Sequence, residues 1–381
     1  MQTYFSTCDD GVRVLNLSHA EGEEFCVAPL EEAFAGAPCA GVLAFATGAE
    51  PLDQICGSLS RQNPSAVIAG CTSAGLISPG RGYSEGPGAV VVGFPSSAFR
   101  LHLLQAGEIE SFLQLPTLPP SPQQTFPHRA AILLVDGLCM REEILCAKLA
   151  ALLSLWQIPL VGGSAGDMLR FEQTWIHSQG RRLHNGFALL LLESAHPLAC
   201  FHHQHFASTD LRTVVTDAQP LTRTVNTLDG EPAAAAYARR LGLRPADLTP
   251  AVFASNPLII RYHDQSYVRA IQQVTPKGGL KFYCAIERGL VLRYARPLDM
   301  LPALQQQLAS LQDRMGALQL VFAADCILRR LDLQQHGMLA EANRLLTSWP
   351  LAGFSSYGEQ LEGVHMNYTL TGIAIGTGRA A

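Results

Sequence analysis

The sequence predicts an α/β protein, with a pseudo-duplicated β-α-β sheet domain followed by a mixed α/β domain built on antiparallel hairpins. Three observations carry this reading. Short, nearly continuous apolar runs alternate with stretches of helical spacing in the first half of the chain. A proline-rich seam at residues 115–128 divides that half into two parts with the same order of elements. Beyond Arg212 the texture changes to alternating runs separated by glycine turns.

Taken in order, 41–46 reads as a strand, 52–61 as a helix, 66–69 as a second strand and 89–94 as a third. In the seam, Pro116, Pro119, Pro120, Pro122 and Pro127 lie among polar residues and favour an extended connector. The pattern then returns, with a strand at 130–135, a helix at 141–156 and strands at 159–162 and 186–192. Such continuous apolar strands are buried on both faces, most simply in a parallel sheet with crossover helices. Further on, 267–274 and 280–286 flank Pro276-Lys277-Gly278-Gly279 as a hairpin. Helices are expected at 231–243, with Pro232 in the first turn, at 298–316 and at 325–349. The expected domains are 1–210, with its two similar halves joined by linker 115–128, and 211–381.

Composition narrows the function. A chain of 381 residues that is 48% hydrophobic can bury a large core. Its net charge of -5, with 27 Lys plus Arg, supplies no basic face for a phosphate backbone, which argues against nucleic acid as a partner. The first ten residues lack a basic segment followed by an apolar one, and runs such as 187–192 are too short to span a bilayer. A cytoplasmic protein without membrane insertion is therefore expected. Ten cysteines, none in a C-x-x-C pair, read as reduced thiols buried as small hydrophobes.

One element recurs three times, a strand end running into glycine, a small hydroxyl residue and further glycine. The copies are Gly70-Cys71-Thr72-Ser73-Ala74-Gly75, Gly162-Gly163-Ser164-Ala165-Gly166-Asp167 and Gly353-Phe354-Ser355-Ser356-Tyr357-Gly358. Glycine permits close backbone approach, and the amides and hydroxyls of such turns can hold a polar ligand at a sheet's carboxyl edge. Gly70, Thr72, Ser73, Gly75, Gly162, Gly163, Ser164, Gly166, Ser355 and Tyr357 are thus candidate ligand-loop residues. The alternative is that small residues only let strands turn beneath packed neighbours. The second copy also has the G-x-S-x-G spacing of a nucleophile elbow, but residues 167–174 do not read as the helix that an elbow needs.

Residues 67–75 and 159–167 resemble the paired turns of the amino-terminal domain of the FIST family. Residues 267–271 and 284–289 resemble its carboxy-terminal domain, as do 325–331, 353–360 and 365–372. The resemblance covers nearly the whole chain, from about Pro29 to Gly376. It implies a bacterial signal-transduction sensor of small ligands, closest to the haem-binding, nitric-oxide-sensing NosP subgroup, and not an enzyme. The implied cofactor is haem b, held non-covalently because no C-x-x-C-H attachment signature is present. The implied ligand is nitric oxide and the implied partner a sensor histidine kinase; a homodimer is compatible with the same resemblance.

A gas-sensing haem needs one strong axial ligand and one open position in an apolar pocket. Alternation within Phe201-His202-His203-Gln204-His205-Phe206 places His203 and His205 on one strand face. The resemblance points to His205 and His365 as alternative axial ligands, and haem propionates need cations or amide donors that Arg269, Arg288, Arg329 or the glycine turns could provide, with Arg269 the candidate contact. His202, His177, His184 and His263 are less constrained, and cysteine is the second choice of ligand. Arg329 is expected instead to pair with Asp325, four residues earlier. Two other readings stand beside haem: a haem-free sensor of an amino-acid-like ligand bound by the glycine turns, and a serine hydrolase using Ser164.

Overall fold

The computed structural model describes residues 3–6, 11–18, 26–34, 38–262 and 265–378; Cys8 and His263 lie outside them. By contacts the chain separates into two units. The first comprises Met1–His203, Leu304–Val364 and Leu370–Ala381, and the second Gln204–Ala303 with His365–Thr369. The sequential division expected at residue 210 therefore gives way to an insertion. Strand pairing is the cause, since Leu318–Cys326 and Leu370–Gly376 hydrogen-bond into the sheet that holds Leu198–His203.

The first unit repeats one pattern three times: a lead strand, a β-α-β pair, a glycine turn, a short hairpin and a return strand. The first repeat runs β1 (Arg13–Ser18), β2 (Cys39–Ala46), α1 (Ala49–Gln62), β3 (Val67–Thr72), β4 (Leu76–Ser78), β5 (Gly82–Ser84) and β6 (Gly88–Pro95). The second runs β7 (Phe99–Glu108), β8 (His128–Val135), α2 (Glu142–Ser154), β9 (Leu160–Ser164), β10 (Ile176–Ser178), β11 (Arg181–Leu183) and β12 (Gly186–Ser194). The third opens with β13 (Leu198–His203). It resumes after the second unit with β14 (Leu318–Cys326), α3 (Ile327–Gln335), α4 (Leu339–Thr347), β15 (Leu351–Ser356), β16 (Glu359–Leu361) and β17 (Leu370–Gly376). The duplication read from sequence thus extends to a third copy, interrupted by the second unit.

In each repeat only the β-α-β pair is parallel, β2 with β3, β8 with β9 and β14 with β15. Return strands β6, β12 and β17 run antiparallel to the first strand of each pair. Lead strands β1, β7 and β13 flank the return strands. The sheets are therefore mixed rather than parallel throughout. The short hairpins are exchanged in a cycle: β4 pairs with β15, β10 with β3 and β16 with β9.

Burial on both faces explains the apolar runs. On β2, Leu43 and Phe45 join a central core containing Phe94, Phe99, Leu134, Phe322 and Phe354, with Phe45 stacked on Phe354 at 4.6 Å. Val42 and Ala44, pointing the other way, pack beneath Leu52, Ile55 and Leu59 of α1. Repeat two does the same, with Leu133 and Leu189 beneath Leu145 and Leu149 of α2.

The second unit holds a sheet of antiparallel strands, Gln265–Arg269, Leu258–Tyr262, Val291–Pro297, Phe206–Gln219, Thr224–Leu228, Leu280–Phe282 and Ile271–Val274 in spatial order. Its core gathers Val215, Tyr237, Phe253, Phe282 and Tyr294. The expected hairpin across Gly278 forms between Ile271–Val274 and Leu280–Phe282, but its first strand breaks at Ala270, which lets Gln265–Arg269 pair with Leu258–Tyr262 instead. The helix expected over 325–349 begins only after β14 and is split at Gly337, whose φ is +69°. Among the described residues, no helix is long and apolar enough to cross a membrane.

Candidate functional site

The three glycine turns lie together in the first unit and are tied into a ring. The Ala74 amide donates to the Ser355 carbonyl (2.9 Å), Gly166 to Thr72 (3.0 Å) and Tyr357 to Ser164 (3.1 Å). Thr72, Ser164 and Ser355 are thus equivalent, as are Gly75, Asp167 and Gly358. The ring is reinforced by Ser355 N–H to Gly75 O and Ser164 N–H to Gly358 O, both 2.8 Å.

Much of the glycine pattern serves this packing. Gly70, Gly162 and Gly353 stand opposite Ala44, Leu133 and Ala323 in the parallel pairs. A Cβ would lie 2.1, 2.5 and 1.8 Å from those residues' carbonyl oxygens. At Gly163 it would overlap Ala324 and Phe354, and at Gly166 it would overlap Ala74. These glycines let backbones approach and are not exposed to a ligand. Ser73 Oγ donates to the Ala46 carbonyl. Ser164 Oγ is buried and accepts from Gln360 Nε2 at 2.9 Å. The chain after Ser164 enters a loop rather than a helix, so the local geometry is not that of an elbow.

Space opens at the carboxyl edge of β2 and β3, where a nucleotide-sized or smaller ligand sits in many β-α-β folds. A cavity of about 170 Å³ is lined there by Thr47, Gly48, Ala49, Thr72, Asp167, Arg170, Glu172, Gln173 and Trp175. The start of α1 lines it, capped by Gly48 without a side-chain acceptor. Its cover is the loop between β9 and β10, which carries the exchanged hairpin of repeat two. Asp167 shapes that loop by accepting from the amides of Phe171 (2.9 Å), Glu172 (2.7 Å) and Gln173 (3.0 Å) and from the Tyr357 hydroxyl. Burial pushes the Asp167 carboxyl up, but these hydrogen bonds outweigh it and hold the pKa below the usual carboxylate value. Trp175 donates its amide to Thr72 Oγ1 (3.0 Å), and Arg182 stacks over its ring at 4.5 Å.

The equivalent edge of β14 and β15 carries buried charges. Asp325 receives Arg329 Nε at 2.6 Å and the Tyr83 hydroxyl, and Arg329 Nη1 lies 3.1 Å from His203 Nδ1. The expected Arg329 to Asp325 pair is present, although Asp325 ends a strand rather than lying within a helix. Burial pushes the Asp325 carboxyl up despite the neighbouring guanidinium. Arg330 follows, 3% exposed, with its Nε 3.5 Å from Glu85.

Haem is tested by the donors of the second unit. His205 and His365 are both buried. His203 and His205 do not share a strand face: β13 ends at His203, and Gln204 turns the chain by accepting the Phe206 amide. His205 packs against the Phe206 ring, centroids 4.2 Å apart. A ring nitrogen of His365 lies within 4.8 Å of Cys284 Sγ, and that thiol donates to Asn367 Oδ1 at 2.8 Å. Haem iron takes a protein ligand only axially, so a thiol beside the imidazole adds nothing to a haem site, and the donors do not favour His365 over His205. Arg269 Nη1 donates to the carbonyls of Val268 (3.3 Å) and His365 (3.0 Å), which anchors the His365 segment and leaves the guanidinium partly committed.

Sequence reasoning missed Trp175, the role of Asp167 and Arg330. Asp167 directly follows the second glycine turn, which was a usable signal; Trp175 and Arg330 come into place only through the exchanged hairpins.

The FIST N domain matches residues 40–231 and the FIST C domain residues 233–362. No curated protein matches the chain.

Proposed function

Because the chain belongs to the FIST family, whose domains are associated with signal-transduction sensing of small ligands, we propose that it is a non-enzymatic sensor that takes its ligand in the Trp175 cavity. The observation that carries this reading is the position of that cavity, at the carboxyl edge of a parallel pair and beneath a loop contributed by another repeat. A ligand there touches residues of two repeats at once, so its binding energy is coupled to how the repeats close on each other. The volume lies below the roughly 300 Å³ at which drug-sized pockets begin, which suits a small polar metabolite such as an amino acid rather than a porphyrin.

A second reading rests on the family resemblance and on the burial of His365 and His205. In it, haem b is held non-covalently by His365, or alternatively His205, with Arg269 toward a propionate; bound haem would supply an iron with an open position for nitric oxide. Family resemblance supports a sensor histidine kinase as the output partner in either reading. Native mass spectrometry of the full chain, purified from a haem-replete host, separates the two. The first reading expects a small adduct that Ala49→Phe removes by filling the cavity. A haem-mass adduct lost in His365→Ala would favour the second, and bare protein throughout would contradict both.

A further inference from the structure

The third repeat has a carboxyl-edge locus equivalent in position to the Trp175 cavity. By the ring of turn hydrogen bonds, Ser355 stands where Thr72 stands and Gly75 where Asp167 stands. Here the space is taken by the guanidinium of Arg330, from the first turns of α3. A Cβ at Gly75 would lie 2.1 Å from Arg330 Nη1 and 3.2 Å from Ser355 Oγ, and the φ of Gly75 is +152°, so this position requires glycine. Arg330 Nε and Nη1 are buried without a hydrogen-bond partner, and so is Ser355 Oγ. The carboxylate paired with this arginine is Glu85, on the half-exposed loop between β5 and β6, and its 3.5 Å approach forms no hydrogen bond. Asp325 is already engaged by Arg329 and Tyr83.

A guanidinium removed from water and short of acceptors carries a desolvation cost that an incoming anion would offset. Its planar donor set matches a carboxylate, and the adjacent serine hydroxyl can add a further bond. We infer that Arg330 and Ser355 form a binding site for the carboxylate of a small ligand, with Glu85 as an internal competitor that occupies the approach until the ligand arrives. The site is distinct from the Trp175 cavity and stands whether or not that cavity is filled.

Calorimetric titration of the full chain with sodium acetate, at constant ionic strength, tests this. Saturable binding is expected, tightened about fivefold in Glu85→Ala because a partly exposed ion pair no longer competes. Binding should be lost in Arg330→Gln, weakened in Ser355→Ala and unchanged in Ala49→Phe, which alters only the other locus. Glu85 is 47% exposed, so its removal leaves the core intact and decides the matter even if Arg330→Gln fails to fold. Acetate affinity in Glu85→Ala equal to that of the parent, or no binding by either, overturns the proposal.

Discussion

Asp167 concentrates most of the chemistry of the first site in one side chain. Three backbone amides and the Tyr357 hydroxyl converge on it, and they favour its charged form. Its folded pKa is depressed, so its contribution to stability is fully present above the unfolded carboxylate value of about 3.9 and disappears as pH falls through the lower folded value. Urea midpoints measured from pH 7 down to 3 should therefore fall less steeply in Asp167→Asn than in the parent chain. Parallel curves would mean that the carboxylate does not hold the loop. At this scale the sequence was informative where residue type sets backbone geometry, as at Gly70 and Gly353, and uninformative for His203 and His205. Alternation assumes an unbroken strand, and Gln204 ends it by bonding the Phe206 amide.

Among the elements, the β-α-β pairs are the rigid parts on which the turns depend. The glycine facing a carbonyl across each parallel pair should therefore be intolerant of a methyl group. Gly353→Ala places Cβ 1.8 Å from the Ala323 oxygen and should cost about 3 kcal/mol by forcing β14 and β15 apart. Gly86→Ala meets nothing within 4 Å and should stay within about 0.5 kcal/mol of the parent. Guanidinium unfolding of the two variants checks both, and equal midpoints would refute the packing role of these glycines. The strands and helices of the pairs were legible because their apolar runs are local in sequence. The hairpin exchange was not, since β4, β10 and β16 are three residues each and gain their partners only from distant repeats. The helix expected at 325–349 starts two residues late because β14, buried along its length, runs to Cys326 with Asp325 neutralised by Arg329, and it divides at Gly337.

The first unit is a threefold elaboration of one pattern, and its carboxyl-edge loci have diverged. Repeat one keeps a cavity there, while repeat three fills it with Arg330. The second unit enters between β13 and β14, so the third repeat is visible in sequence only as an isolated glycine turn near the end. Sensing depends on a ligand joining residues of different repeats, and Trp175 is the natural reporter because it lines the cavity with Arg170 and Asp167. The most direct measurement is Trp175 emission, isolated by replacing Trp156 and Trp349 with phenylalanine, during titration with a panel of free amino acids and small metabolites. A saturable change is expected for at least one compound, and Ala49→Phe should abolish it. Emission that stays flat across the panel, or a change that persists in Ala49→Phe, would contradict this.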